Sequence, residues 1–126
     1  MTEPLEFLGP EDLIELAGRL LGDPPPVRDA GLLAAAAARP QASAFGVDAY
    51  PDIWTKAASL LQSIVGNHPL VDGNKRLGWL ATAVFLELDG IGITSATNDD
   101  VYRLVMRMAS ESPEVEEIAR WLRSLL

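Results

Sequence analysis

Nine consecutive residues, His68 to Arg76, read His-Pro-Leu-Val-Asp-Gly-Asn-Lys-Arg and include the only histidine of the chain. Between that histidine and the closing arginine stand one carboxylate, one glycine, one side-chain amide and one lysine. An apolar pattern follows at once, with Leu77, Leu80, Ala81, Val84, Phe85 and Leu88 at spacings of three and four, the period of a buried helix. Polar groups therefore crowd a loop that opens a helix. The first amides of a helix lack acceptors and lie at the positive end of its dipole, so the position suits an anion, above all a phosphate. Gly73 lets backbone approach such a group closely, Asn74 offers an amide, and Lys75 and Arg76 add cationic donors. Asp72 is the one acid of the loop and a natural magnesium ligand, because that ion takes oxygen from a carboxylate or two plus substrate phosphates. His68 can act as a base near neutral pH. Each residue alone has an ordinary loop explanation, since Asp-Gly-Asn is common turn chemistry. Their conjunction at a helix start is what favours a phosphate-handling active site.

The elements that must position this loop are helical. Gly9-Pro10-Glu11-Asp12 has the pattern of a helix start, and Leu13, Leu16, Ala17 and Leu20 give that helix an apolar face ending near Gly22. Asp23-Pro24-Pro25-Pro26 cannot continue it. A second helix is expected from Asp29 to about Arg39, where Pro40 stops it. Pro40 to Tyr50, rich in small and polar residues, reads as a loop with room for a brief extended piece. Pro51 is expected to start a central helix whose apolar residues, from Ile53 to Val65, exceed one stripe and imply burial on several sides. That helix should close at Gly66-Asn67, a left-handed-cap pair, and deliver His68. The motif helix runs from about Asn74 to Asp89 and is closed by Gly90, with Ile91–Thr94 as an extended connector. Thr97 caps a further helix, and Ser112-Pro113-Glu114 starts the last. Trp54, Trp79 and Trp121 fall one per helix and are expected in core or rim packing. The reading is an all-α bundle of about six helices, one domain over residues 1–126.

Composition narrows the chemistry. There is no cysteine, so disulfides and thiolate metal sites are excluded, and one histidine argues against zinc. No apolar run approaches the roughly 20 residues of a membrane span. The acidic N-terminal residues do not form a signal peptide, and the expected location is the cytoplasm. A net charge of −8 argues against nucleic acid as a general ligand. Lys75 and Arg76 are a local positive spot on an acidic body, suited to a small polyanion.

The stretch His68–Arg76 resembles the core motif of the Fic family, which begins H-x-F-x-[D/E]-G-N, most closely its Doc (death-on-curing) branch, which reads N-K-R. The likeness extends to Val27-Arg28-Asp29-Ala30-Gly31-Leu32-Leu33, Ala38–Ala42, Tyr50-Pro51-Asp52, Lys56-Ala57-Ala58 and Phe85–Gly90, and so covers most of the chain from about Gly9. It implies the Fic/Doc helical architecture, with ATP and magnesium as cofactors. It also implies a flap near Gln41–Val47 that aligns a target peptide, although a plain connector is the other reading of that segment. Fic enzymes with the full motif transfer AMP, and they have Gly where Lys75 stands and a second Arg where Trp79 stands. Both departures resemble Doc, which moves the γ-phosphate of ATP. The resemblance thus implies a protein kinase acting on a threonine of elongation factor Tu and arresting translation. AMP transfer and a non-catalytic binding protein stay open as alternatives. In the favoured scheme His68 is the base, Asp72 the magnesium ligand, Gly73 and Asn74 the phosphate binders through backbone and amide, and Lys75 with Arg76 the charge stabilisers. Leu70 replaces the motif's Phe, and Gly66 offers no cation where some Doc proteins have one. The inhibitory motif [S/T]-x-x-x-E-[G/N] is matched only in part, at Ser110–Val115, Ser112–Glu117 and Thr2–Phe7. The resemblance therefore implies inhibition by a separate antitoxin of the Phd type, folding as a helix into an apolar groove.

Overall fold

A computed structural model describes residues 4–93 and 96–126. Thr2, of one partial inhibitory motif, and Thr94, at the end of the expected connector, lie outside the described residues. The chain forms six α-helices: α1 (Pro10–Leu21), α2 (Ala30–Ala38), α3 (Ile53–Asn67), α4 (Asn74–Leu88), α5 (Asn98–Glu111) and α6 (Val115–Arg123). A 3-10 turn at Arg39–Gln41 and a two-stranded hairpin, β1 (Ser43–Ala44) and β2 (Val47–Asp48), separate α2 from α3. The all-α architecture matches the expectation, and the loop expected at Pro40–Tyr50 contains a hairpin.

Side chains cap three of the six helix starts. Asp29 accepts from the Leu32 amide at 3.0 Å for α2, Asp52 from Thr55 at 2.8 Å for α3, and Thr97 from Asp100 at 3.1 Å for α5. Pro51 therefore stands outside the central helix, because Asp52 is its cap. Arg103 and the Thr97 hydroxyl hold the Asp100 carboxyl below the usual range.

The core is organised around α3, which packs against α2, α4, α5 and α6. Its Ala57, Ala58, Leu60, Leu61, Ile64 and Val65 are all buried, which is the burial on several sides that its broad apolar pattern predicts. α4 lies close on α3 because Gly78 has no side chain: a Cβ there would sit 2.9 Å from Val65 Cγ2. Phe85 stacks on Phe7 at 5.7 Å, and the Glu6 amide donates to Asp89 Oδ1 at 2.7 Å, tying the segment before α1 to the end of α4. All three tryptophans are partly buried against the core, as expected.

The hairpin is held from below. Buried Lys56 of α3 donates to the carbonyls of Pro40 and Tyr50 and to Asp48 Oδ2, and so grips the chain before, within and after the two strands. The hairpin turn places Phe45 and Gly46 at positive φ, 53° and 76°, as two-residue hairpin turns require. It leaves the Phe45 ring fully exposed.

Candidate active site

The end of α3 and the start of α4 meet across the loop His68–Gly73. Gly66 and Asn67, expected to close α3, are helical, and His68 itself takes the left-handed conformation at φ 52°, ψ 61°. The reversal falls one residue later because Pro69 follows. A residue before proline is pushed out of the right-handed helical region, so the helix cannot continue through His68.

Three backbone bonds fix the loop from the segment between α1 and α2. Arg28 and Asp29 amides donate to Pro69 C=O at 2.8 and 3.0 Å, and the Val71 amide donates to Pro26 C=O at 2.8 Å. Val27 and Leu70 form an antiparallel bridge. Leu70 is fully buried, so in place of the motif's Phe it still anchors the loop inward. The Arg28 side chain adds two further bonds, from Nε to His68 C=O at 2.7 Å and from Nη2 to Asn67 C=O at 2.9 Å. Sequence reasoning assigned Arg28 no role. Its partners lie 39 and 40 residues away, and no local pattern announces a contact of that range.

Asn74 requires a correction. Its side chain is buried and spends itself inside the loop: Oδ1 accepts from the Leu70 amide at 2.9 Å, and Nδ2 donates to Leu70 C=O at 3.0 Å. The amide expected to meet a phosphate is a brace, and the group Asn74 has left for an anion is its backbone N–H. Gly73, at φ 86°, is the helix N-cap and brings no capping side chain. The first intrahelical bond there runs from the Leu77 amide to Gly73 C=O at 2.9 Å, so the amides of Asn74, Lys75 and Arg76 precede the ladder. A cap without a side chain leaves such amides to solvent or to an anion.

These features line one open depression of about 360 Å³, bordered by His68, Val71, Asp72, Gly73, Asn74, Lys75 and Arg76. The structure therefore brings together all six residues expected at the site. His68, Asp72, Lys75 and Arg76 are exposed. Among the described residues no protein group bonds the His68 imidazole, whose backbone carbonyl alone is engaged. His68 also borders a second hollow of about 390 Å³ between α3 and the α5–α6 turn, shared with Arg39, Gln62 and Ser112. Asp72 Oδ1 accepts from the Gly73 amide at 2.9 Å, leaving Oδ2 without a protein partner. Among the described residues no cluster of three or more acids and histidines could hold a metal. One carboxylate fits magnesium only where phosphate oxygens complete the shell. Arg76 Nη2 lies 3.4 Å from Leu20 C=O, facing the end of α1.

Beyond the cations opens an apolar groove of about 490 Å³ between α1, α4 and α5. Leu20, Trp79, Leu80, Val101, Tyr102 and Met106 line it, and Lys75 with Arg76 form its edge toward the depression. No helix among the described residues is long and apolar enough to cross a membrane.

The sequence model of the Fic/DOC family matches residues 7–86, a span that contains every residue of the depression. The chain is also similar to the Toxin Doc of Mycolicibacterium smegmatis, 46% identical over 117 residues that cover 90% of this chain and 88% of that protein. The chain belongs to the Fic/Doc family.

Proposed function

We propose that this protein is a Doc-type toxin, a phosphotransferase that moves the γ-phosphate of magnesium-bound ATP onto a hydroxyl of a translation factor and so arrests translation. The favoured acceptor is a threonine of elongation factor Tu, on the resemblance to Doc. The observation that carries the reading is the meeting of an unbonded imidazole, uncapped helix amides and two exposed cations in one depression. His68 takes the acceptor proton, and the hollow on its other side gives an acceptor side chain room to approach. The Gly73–Arg76 backbone holds phosphate oxygens, while Lys75 and Arg76 offset the charge that develops on them. Asp72 Oδ2 would hold magnesium jointly with the nucleotide, and the ion when bound screens the phosphate charge.

Two residues favour phosphate over AMP transfer. Lys75 stands where the AMP-transferring enzymes have Gly, and Trp79, packed on the core, stands where they have a second cationic clamp. Trp79 offers one N–H and no charge. ATP labelled at the γ or at the α position separates the reactions. Label on the acceptor from the γ position supports this proposal, and label from the α position replaces it with AMP transfer. Label from neither sinks the catalytic reading.

The relative's name, Toxin Doc, supports an antitoxin partner for this chain. An amphipathic segment carrying a carboxylate fits the apolar groove, because Lys75 and Arg76 stand at its edge on an otherwise acidic protein. Seated there, it would lie against the phosphate-binding cations.

A further inference from the structure

We propose that Arg28 is the positioning residue of the site: its guanidinium holds His68 in the left-handed conformation and so aims the imidazole over the phosphate cradle. The inference rests on the proposed role of His68 as the base.

His68 needs such a support for two reasons. A side chain with a Cβ disfavours the left-handed region, and His68 sits at φ 52°, ψ 61°. In the Schellman form of a helix end, the amide of the residue after the left-handed one donates back to the last turn. Here that residue is Pro69, which has no N–H. That bond cannot form here, and the last carbonyls of α3 need other donors.

Arg28 supplies the missing donors. Three consecutive carbonyls turn to this one residue: Asn67 C=O to Nη2 at 2.9 Å, His68 C=O to Nε at 2.7 Å, and Pro69 C=O to its backbone amide at 2.8 Å. Nε and Nη2 form the rigid side of the guanidinium fork, so the two side-chain bonds fix the relative orientation of the two carbonyls. The peptide planes on both sides of the His68 Cα are thereby set, and with them the direction of its Cβ. Both side-chain bonds of Arg28 go to backbone carbonyls, and Arg28 does not line the depression. It acts through His68.

The backbone bonds allow a clean test. In Arg28→Gln and Arg28→Lys the Arg28, Asp29 and Val71 amide bonds survive, so the loop keeps its register while the fork is lost. Lysine keeps the charge and the stem but cannot donate along two fixed directions. His68 is the only histidine, so its imidazole Hε1 gives a single assignable resonance, read without any substrate. The proposal expects both variants to fold, with that resonance shifted or broadened by exchange between conformations. In the transfer assay it expects kcat to fall about 10- to 100-fold, the cost of a misplaced catalytic group. The KM for ATP should stay within about twofold, because the cradle amides belong to α4. Added guanidinium should restore part of the rate to Arg28→Ala. A folded Arg28→Lys protein with a wild-type imidazole resonance overturns the proposal. So does a loss of rate that appears wholly in KM. Should wild-type protein transfer no phosphate, the functional reading fails on its own, and the resonance still decides the role of Arg28.

Discussion

Gly73→Ala tests the construction of the proposed phosphate cradle. Gly73 lies at φ 86°, ψ 14° as the N-cap of α4, and a Cβ built there would stand 2.6 and 2.7 Å from the two Leu21 methyls and 3.2 Å from its Cγ. Two costs follow. The left-handed backbone costs an alanine about 1–2 kcal/mol. The second falls on Leu21, half-buried at the end of α1, whose branch must rotate or retreat as a whole because Cγ itself is too close. Losing a staggered rotamer and part of its packing costs about another 1–2 kcal/mol. The sum is about 2–4 kcal/mol, or roughly 6–20 °C in melting temperature for a chain of this size. Nucleotide affinity should fall as well, since the residue that shifts immediately precedes the amides proposed to hold phosphate. Thermal melts of Gly73→Ala, Leu21→Ala and the double variant separate the costs. Leu21→Ala removes the clash, so the double variant should be less destabilised than the sum of the singles by about 1–2 kcal/mol. Strict additivity, or a Gly73→Ala melt within about 2 °C of wild type, would refute the reasoning.

Gly78→Ala places a methyl 2.9 Å from Val65 Cγ2 and 3.2 Å from Leu61 Cδ1, both buried. Helix propensity gains about 1 kcal/mol. Overpacking costs about 1–3 kcal/mol, so the melt should drop, and a rise would show that α3 and α4 have slack. Lys56→Met removes the donors that hold both flanks of the hairpin and should cost about 2–4 kcal/mol. Amide exchange in residues 43–48 should accelerate selectively, and unchanged protection would mean that the hairpin stands without its anchor. His68→Ala should lower phosphate transfer by about 10²–10⁴-fold. The exposed side chain leaves stability within about 1 kcal/mol, and a folded variant at full rate removes His68 from the mechanism.

What sequence made legible here were features written in local periodicity. The apolar runs of α3 and α4, the Thr97 cap and the clustering of His68 to Arg76 at a helix start all depend on neighbours within a turn or two. The misreadings come from one neighbour overriding another and from contacts between distant segments. Asn74 reads as a free amide although its partner, the Leu70 backbone, lies only four residues back, because the bridge that pairs Leu70 with the distant Val27 is not written in the local sequence. Glycine's usual habit puts the end of α3 at Gly66-Asn67, whereas Pro69 sets it at His68. Arg28 and Lys56 were invisible as supports, since a cation reveals its carbonyl partners only once the chain has folded.

The central claim is that this depression moves a phosphate onto a protein hydroxyl. Intact mass of purified elongation factor Tu, after incubation with this protein and magnesium-ATP, tests it most directly. A gain of one phosphate, absent with His68→Ala, is the predicted result. A gain of one AMP, or an unchanged mass, would contradict it.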